Sequence, residues 1–218
     1  MDIKEFDLVG TKAFQIDNFY DDAGFIMDMI LSGPPNQTVT NHPLNGDEFF
    51  DLRHHREEPT LKKYSDQLAG LIDGEYVAYT ENNVDVLDTN FMRWKKSDFN
   101  NYEENYWFPH IDASWVCLVY LNEGETNGTN IYEDKHGSIY KYGNGLTEAE
   151  RHPWKPKADF EIIDYLAPKF NRGFLFEASK IPHGAAVNDE TFFYSEEQKD
   201  YHKHRLNQAL FFFPKGNL

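Results

Sequence analysis

The chain has 218 residues, 40% hydrophobic and 27% charged, which is long enough to bury a core and excludes a disordered tail or a fibrous repeat. Twenty-one basic residues against 37 acidic ones leave a net charge of -16, which repels phosphate backbones and anionic lipid. Nucleic acid is thereby disfavoured as a partner, no membrane association is expected, and the single cysteine, Cys117, excludes an intrachain disulfide.

The N-terminal Met-Asp-Ile-Lys-Glu-Phe-Asp has neither the basic start nor the apolar core of a secretion signal. No apolar stretch approaches the ~20 residues of a membrane helix, so the expected location is the cytoplasm. No internal repeat, low-complexity tract or long linker divides the sequence, and a single domain over 1–218 is expected. Asp21 or Asp22 can cap a helix in which Phe25, Ile26, Met29 and Ile30 share one face, and Ser32-Gly33-Pro34-Pro35 ends it. Residues 36–58 are polar, carry Arg53, His54, His55 and Arg56, and read as a surface loop. Thr60 can cap a second helix with Leu61, Tyr64, Leu68 and Leu71 as its apolar stripe. The region of about 1–80 is thus a helical support.

From about 84 to 214 the pattern shortens to strands, with candidates at 84–94, 106–112, 115–121, 130–132, 170–177 and 205–213. The aromatic content, 16%, suits such a β-rich core. Residues of about 134–160 are polar and turn-rich, with Gly137, Gly143, Gly145, Pro153 and Pro156, and read as an insertion between strands. Helices first and strands after predict an α+β chain: a mostly β sandwich or barrel with N-terminal helices packed outside. Cys117 lies in the apolar run 115–121, where a small buried thiol is the ordinary reading.

Chemistry concentrates in Trp107-Phe-Pro-His110-Ile-Asp112. The side-chain period of a strand is two, so His110 and Asp112 project from one face and can reach one metal ion. A second histidine, His183, follows an apolar strand in a Pro182-His183-Gly184 turn that aims a side chain away from the sheet. Two histidines and one carboxylate make the facial triad of non-haem Fe(II) oxygenases. Short patterns of this kind also arise as plain surface polarity, and the two motifs alone leave both readings open.

The order of the surrounding segments goes further. After His110 and Asp112 come Val116-Cys-Leu-Val-Tyr120-Leu-Asn122, then Gly128-Thr129-Asn-Ile-Tyr132, then Arg172-Gly-Phe-Leu-Phe-Glu-Ala-Ser179 leading into Pro182-His183, and last His204-Arg205-Leu-Asn-Gln-Ala-Leu-Phe-Phe-Phe213. This series over 105–213 resembles the Fe(II)/2-oxoglutarate-dependent dioxygenases, in particular their prolyl-hydroxylase-like branch; Phe14-Gln-Ile-Asp-Asn-Phe-Tyr20 is similar to the family's opening. The resemblance implies a distorted double-stranded β-helix, a cupin-like jelly roll. It implies Fe(II) bound by His110, Asp112 and His183, with O2 and 2-oxoglutarate as co-substrates. Arg205 would meet the distal carboxylate of 2-oxoglutarate, with Tyr120 and Asn207 as further hydrogen-bonding groups.

A guanidinium at the head of an almost wholly apolar strand agrees with that role for Arg205; the alternative keeps it solvated beside Lys203 and His204. Tyr120 is a pocket hydroxyl or core filling, and Trp94 reads as core. The turn at Asn127-Gly128-Thr129 has one glycine where many relatives have two, and the stretch from His183 to Arg205 is longer than relatives show. Halogenating relatives replace the carboxylate ligand by a small residue, so Asp112 favours hydroxylation. The expected activity is hydroxylation of an unactivated C–H bond in a peptidyl or small-molecule substrate, with succinate and CO2 released and no catalytic group beyond the metal ligands. A jelly-roll binding module with an idle metal site, and a cupin-type metalloenzyme that ignores 2-oxoglutarate, are the alternatives. The segments 134–160 and 188–202 are candidate lids, and the sequence carries no signal of oligomeric state.

Overall fold

The run from Trp115 to Tyr120 is apolar at every position, which suits a strand covered on both faces. It is the middle of a large antiparallel sheet. The computed structural model describes residues 1–32, 36–41, 48–54, 59–78, 90–93, 109–136, 157–186 and 205–215. Their elements run β1 (Asp2–Leu8), β2 (Thr11–Asp17), α1 (Ala23–Ser32), β3 (Asn36–Asn41), β4 (Glu48–His54), α2 (Pro59–Ala69) and β5 (Tyr76–Ala78). Then follow β6 (Asn90–Arg93), β7 (Trp115–Tyr120), β8 (Thr129–Asp134), β9 (Phe160–Leu166), β10 (Arg172–Glu177), β11 (His183–Ala185) and β12 (Leu206–Pro214).

The large sheet has the order β1-β2-β10-β7-β12-β6-β4-β3, with β5 also paired to β12; the small one has the order β11-β8-β9. His110 joins the small sheet through an isolated antiparallel bridge to His183. From β6 onward the chain alternates between the sheets: β6 in the large one, His110 in the small, β7 large, β8 and β9 small, β10 large, β11 small, β12 large. That alternation is the winding of a jelly roll, and the protein is mostly β with helices on one side, as the sequence predicts.

Strand alternation gives the central strands two different faces. Trp115, Cys117 and Val119 of β7 and Leu206, Leu210 and Phe212 of β12 pack in one cluster with Ile26 of α1 and Leu68 of α2. Val116 and Tyr120 of β7, Phe174 and Phe176 of β10, and Ala209 of β12 turn the other way, where Ile131 of β8 joins them inside the roll. Each fully buried large apolar side chain contributes roughly 1.5–3 kcal/mol, so the helix-side cluster is a principal stabiliser of the sheet.

Both expected helices form, with shifted details. Asp22 is the cap of α1: its Oδ1 accepts the Phe25 N–H at 2.9 Å. Among the described side chains of α1, Ala23, Ile26 and Met27 are buried and Phe25 is 57% exposed, because the face is set by the i, i+3, i+4 spacing from Ala23; the side chains of Met29 and Ile30 lie outside those described. The second helix starts at Pro59, which suits a first helical position, so Thr60 lies within the first turn. Tyr64 and Leu68 are buried as predicted.

The N-terminal region is not helical throughout. Strands β1 and β2 form a hairpin on the large sheet, joined by Val9 and Gly10 with φ of 52° and 77°, the left-handed pair of a tight hairpin turn. Strand β1 is an edge whose residues are mostly exposed, so it has no apolar run to announce it. The polar stretch 36–58 is likewise not all loop: β3 and β4 pair through it, and His54 ends β4. Strand β9 lies on the small sheet's free edge, and a register shift opposite Ile131 and Tyr132 breaks its alternation. Of the predicted insertion, Asp134 belongs to β8 and Phe160 to β9, while 137–156 lie outside the described residues, as does the segment 188–202.

Candidate functional site

The bridge between the two strand segments brings the histidines together. His110 N–H donates to the His183 carbonyl and His183 N–H to the His110 carbonyl, each at 2.9 Å. Two residues on, the Asp112 N–H is held by the Ala178 carbonyl at 3.1 Å, past the end of β10. These main-chain bonds fix three side chains that converge inside the mouth of the roll. One ligand atom from each of His110, Asp112 and His183 lies within 4.8 Å of the others. The two oxygens of Asp112 face different rings: Oδ1 is 3.9 Å from His110 Nε2 and Oδ2 is 3.3 Å from His183 Nε2.

The donor set suits a metal ion. His183 Nδ1 lies 2.9 Å from the Ile181 carbonyl. A carbonyl only accepts, so Nδ1 carries a proton, which leaves Nε2, on the side of Asp112, as the ring atom that can bind a metal ion. The His183 and Phe176 rings meet nearly at right angles, centroids 5.2 Å apart, and His183 is 3% exposed. The side chains of His110 and Asp112 are more open, at 20% and 18%, which gives an ion and its co-ligands a way in.

Arg205 faces the same interior, beside Tyr120. It is 2% exposed, and a hydrogen bond from each of its three nitrogens fixes the guanidinium plane. Nε donates to the Asn127 carbonyl at 2.6 Å, Nη2 to the Gly128 carbonyl at 3.2 Å, and Nη1 to Asn207 Oδ1 at 2.5 Å. The arginine is therefore drawn into the roll and not solvated at a strand edge. Asn207 pairs in register with Tyr120, whose ring centroid lies 6.0 Å from the guanidinium carbon. The fully buried Tyr120 shares a 2.6 Å hydrogen bond with Thr129 Oγ1. Burial pushes its phenol up to about 12, against the opposing pull of Arg205 and Thr129, so the hydroxyl stays protonated. Tyr120 is thus at once packed among the interior apolar residues and hydrogen-bonded, which joins the two readings its sequence position allows.

All six predicted site residues, His110, Asp112, His183, Arg205, Tyr120 and Asn207, lie in one interior. Sequence reasoning missed Thr129 as the partner of Tyr120; strand alternation, which sets Thr129 and Ile131 on one face of β8, is the signal that could have found it. The carbonyls of Ile181, Asn127 and Gly128 carry no signal in residue identity. Cys117 is buried on the helix side, where burial raises its thiol far above the ordinary range and leaves it inert. His136 is an exposed residue 3.8 Å from Asp159. Trp94, His202 and His204 lie outside the described residues.

No protein-family model matches the sequence, and no curated protein matches it. Among solved structures, the non-heme alpha ketoglutarate dependent epimerase SnoN from nogalamycin biosynthesis is similar over 93% of this chain and 78% of its own, at 10% identity and a TM-score of 0.49. The SnoN complex with Fe3+, alpha ketoglutarate and nogalamycin RO gives the same coverage and identity with a TM-score of 0.48. An oxidoreductase of the 2OG-Fe(II) oxygenase family from Burkholderia pseudomallei is similar over 92% of this chain and 84% of its own, at 8% identity and a TM-score of 0.46. Likeness of this grade says nothing of the chemistry here, which is read from the side chains. Among the described residues no helix is long and apolar enough to cross a membrane.

Proposed function

We propose that the protein is an Fe(II)- and 2-oxoglutarate-dependent dioxygenase that hydroxylates an unactivated C–H bond of a peptidyl or small-molecule substrate. The reading is carried by one observation: a two-histidine, one-carboxylate set and a buried arginine share the interior of a jelly roll. His110, Asp112 and His183 would hold the iron, since two imidazoles and a carboxylate on one side of an ion suit non-haem Fe(II) with positions left open. Bound there with 2-oxoglutarate and O2, iron supplies the oxidising power that an unactivated C–H bond requires, with succinate and CO2 released.

The chain's own groups bind and orient. Asp112 and the Nε2 lone pair of His183 provide donors whose direction is set by main-chain bonds. Arg205 would receive the distal carboxylate of 2-oxoglutarate, in a position where a buried guanidinium gains most from a charged, planar partner. Asn207 holds Nη1 of that guanidinium, and the Tyr120 hydroxyl stands at the same level of the roll. Ile131, Phe174 and Phe176 wall the interior and exclude water. No acid or base in the chain is called on to move a proton. The carboxylate at 112 supports hydroxylation over halogenation, and the prolyl-hydroxylase-like motif order supports a peptidyl substrate.

Anaerobic titration of the Fe(II)-loaded protein with 2-oxoglutarate tests this, read by the visible charge-transfer band of the chelate. Wild-type protein is expected to give the band and His183→Ala to lose it. Arg205→Ala should need at least about thirtyfold more 2-oxoglutarate, because a charged partner is removed from a buried pair. Iron binding without a band would point to a cupin-type metalloenzyme; no metal binding at all would leave a jelly-roll binding module.

A further inference from the structure

Arg205 is aimed by two carbonyls, and those carbonyls belong to a turn with its own anchor. Asn127 is fully buried with a φ of 60°, and its carbonyl takes the 2.6 Å bond from Arg205 Nε. Gly128 is pressed against the end of β9: a Cβ there would stand 2.1 Å from the Leu166 carbonyl oxygen and 2.7 Å from Pro168 Cδ, so no other residue fits without moving the backbone. The Gly128 carbonyl serves two donors, Nη2 of Arg205 at 3.2 Å and the Ala186 N–H at 3.0 Å, just past β11 with its His183. A displacement of this turn is therefore felt at the guanidinium.

A single phenolic oxygen spans the turn. The Tyr165 hydroxyl accepts the Gly128 N–H at 2.9 Å and donates to the Glu125 carbonyl at 3.1 Å, tying residues 125 and 128 together from β9. Burial raises the Tyr165 phenol, which keeps the proton it donates. The ring reaches the turn from the exposed edge strand of the small sheet, so its hydroxyl is not needed to fill a core.

We propose that Tyr165 is a positioning residue for Arg205: its hydroxyl fixes the 125–128 turn, whose Asn127 and Gly128 carbonyls aim the guanidinium at the carboxylate of 2-oxoglutarate. This rests on the reading of the site given above. Both hydrogen bonds of the Tyr165 hydroxyl go to main-chain atoms of the turn, so its hold on Arg205 is indirect.

Tyr165→Phe removes the oxygen and keeps the ring. Titration calorimetry of the Zn(II)-loaded protein with 2-oxoglutarate reads co-substrate affinity without turnover, a separate Zn(II) titration reads the metal site, and the 15N–1H spectrum reports the Arg205 Nε–H, identified by its loss in Arg205→Lys. The expected result is a 2-oxoglutarate Kd raised about five- to tenfold, as for the loss of one or two ordinary hydrogen bonds. Zn(II) affinity should change less than twofold and the Arg205 Nε–H resonance should move. Unchanged 2-oxoglutarate affinity overturns this inference alone, and so does a parallel fall in Zn(II) and 2-oxoglutarate affinity, which marks a general structural role. Wild-type protein that binds no 2-oxoglutarate overturns the reading of the site and the inference with it.

Discussion

The two faces of β7 and β12 are built from alternate residues of the same short strands, yet they have almost nothing in common. Toward α1 and α2 the sequence offers Cys117, Val119, Leu206, Leu210 and Phe212, apolar and in contact, with Gln208 among them hydrogen-bonded to the Tyr20 hydroxyl. Toward the small sheet it offers Tyr120, Arg205 and Asn207 among smaller apolar neighbours, with polar atoms that are hydrogen-bonded inside the roll. A one-residue slip of β12 would exchange its faces, sending Arg205 toward the helices and Leu206 into the site. The apolar face therefore holds the register that keeps the polar face where it is.

The sharpest way to break that division is a pair of substitutions, one on each side. Phe212→Ala opens a cavity in the helix-side cluster and is expected to cost about 3–5 kcal/mol of stability in a denaturant melt. Its metal affinity, measured where the protein is still folded, should stay within threefold of wild type. His183→Ala should do the reverse: Co(II) affinity falls by more than the ~100-fold that loss of an outer partner can reach, with the smaller change in stability. Metal affinity lost in Phe212→Ala as well would mean that the two faces are not separable.

A smaller effect tests the seam between the N-terminal hairpin and the roll. Arg172 of β10 pairs with Asp17 of β2, Nε to Oδ1 at 2.7 Å, and this hydrogen bond holds the Asp17 carboxyl below its ordinary 3.8. The pair's contribution is complete above 3.8 and is lost as pH falls through the lower folded value. Arg172→Met should therefore flatten the acid limb of stability below about pH 4 and leave metal affinity at neutral pH unchanged. Equal acid limbs in the two proteins would show that the seam carries no such contribution. Smallest is Asp22→Ala, which removes the cap of α1 and should cost about 1 kcal/mol, read as a lowered melting midpoint.

The same division explains what could be read from the sequence. Strands β7 and β12 are covered on both sides, so their apolar runs were plain, and His110, Asp112, His183 and Arg205 stood out against them. Strand β1, an edge with Asp2, Lys4 and Glu5 exposed, forms through main-chain pairing to β2 and had no pattern to offer. In β9 the register shift leaves Ile162 and Ile163 both exposed, which defeats an alternation test. Phe25 is exposed against the sequence expectation because a four-residue apolar stripe can be phased in more than one way, and burial of Ala23, Ile26 and Met27 decides the phase. The hold on Arg205 was hidden for a different reason, since carbonyl oxygens are the same in every residue.

The reciprocal pair of main-chain bonds between His110 and His183 also fixes when the site can exist. The two segments lie far apart in the chain; pairing of Trp115 with Glu177 between β7 and β10, and the bonds from Asp112 N–H to Ala178 and from Ser179 N–H to Ser114, close most of that long loop, which leaves the bridge a short span to close. Local structure in β7, β8 or β10 can form without it. A newly made chain thus has no complete ligand set to capture an ion until β11 has paired with His110, and metal uptake during refolding becomes a clock for that closure.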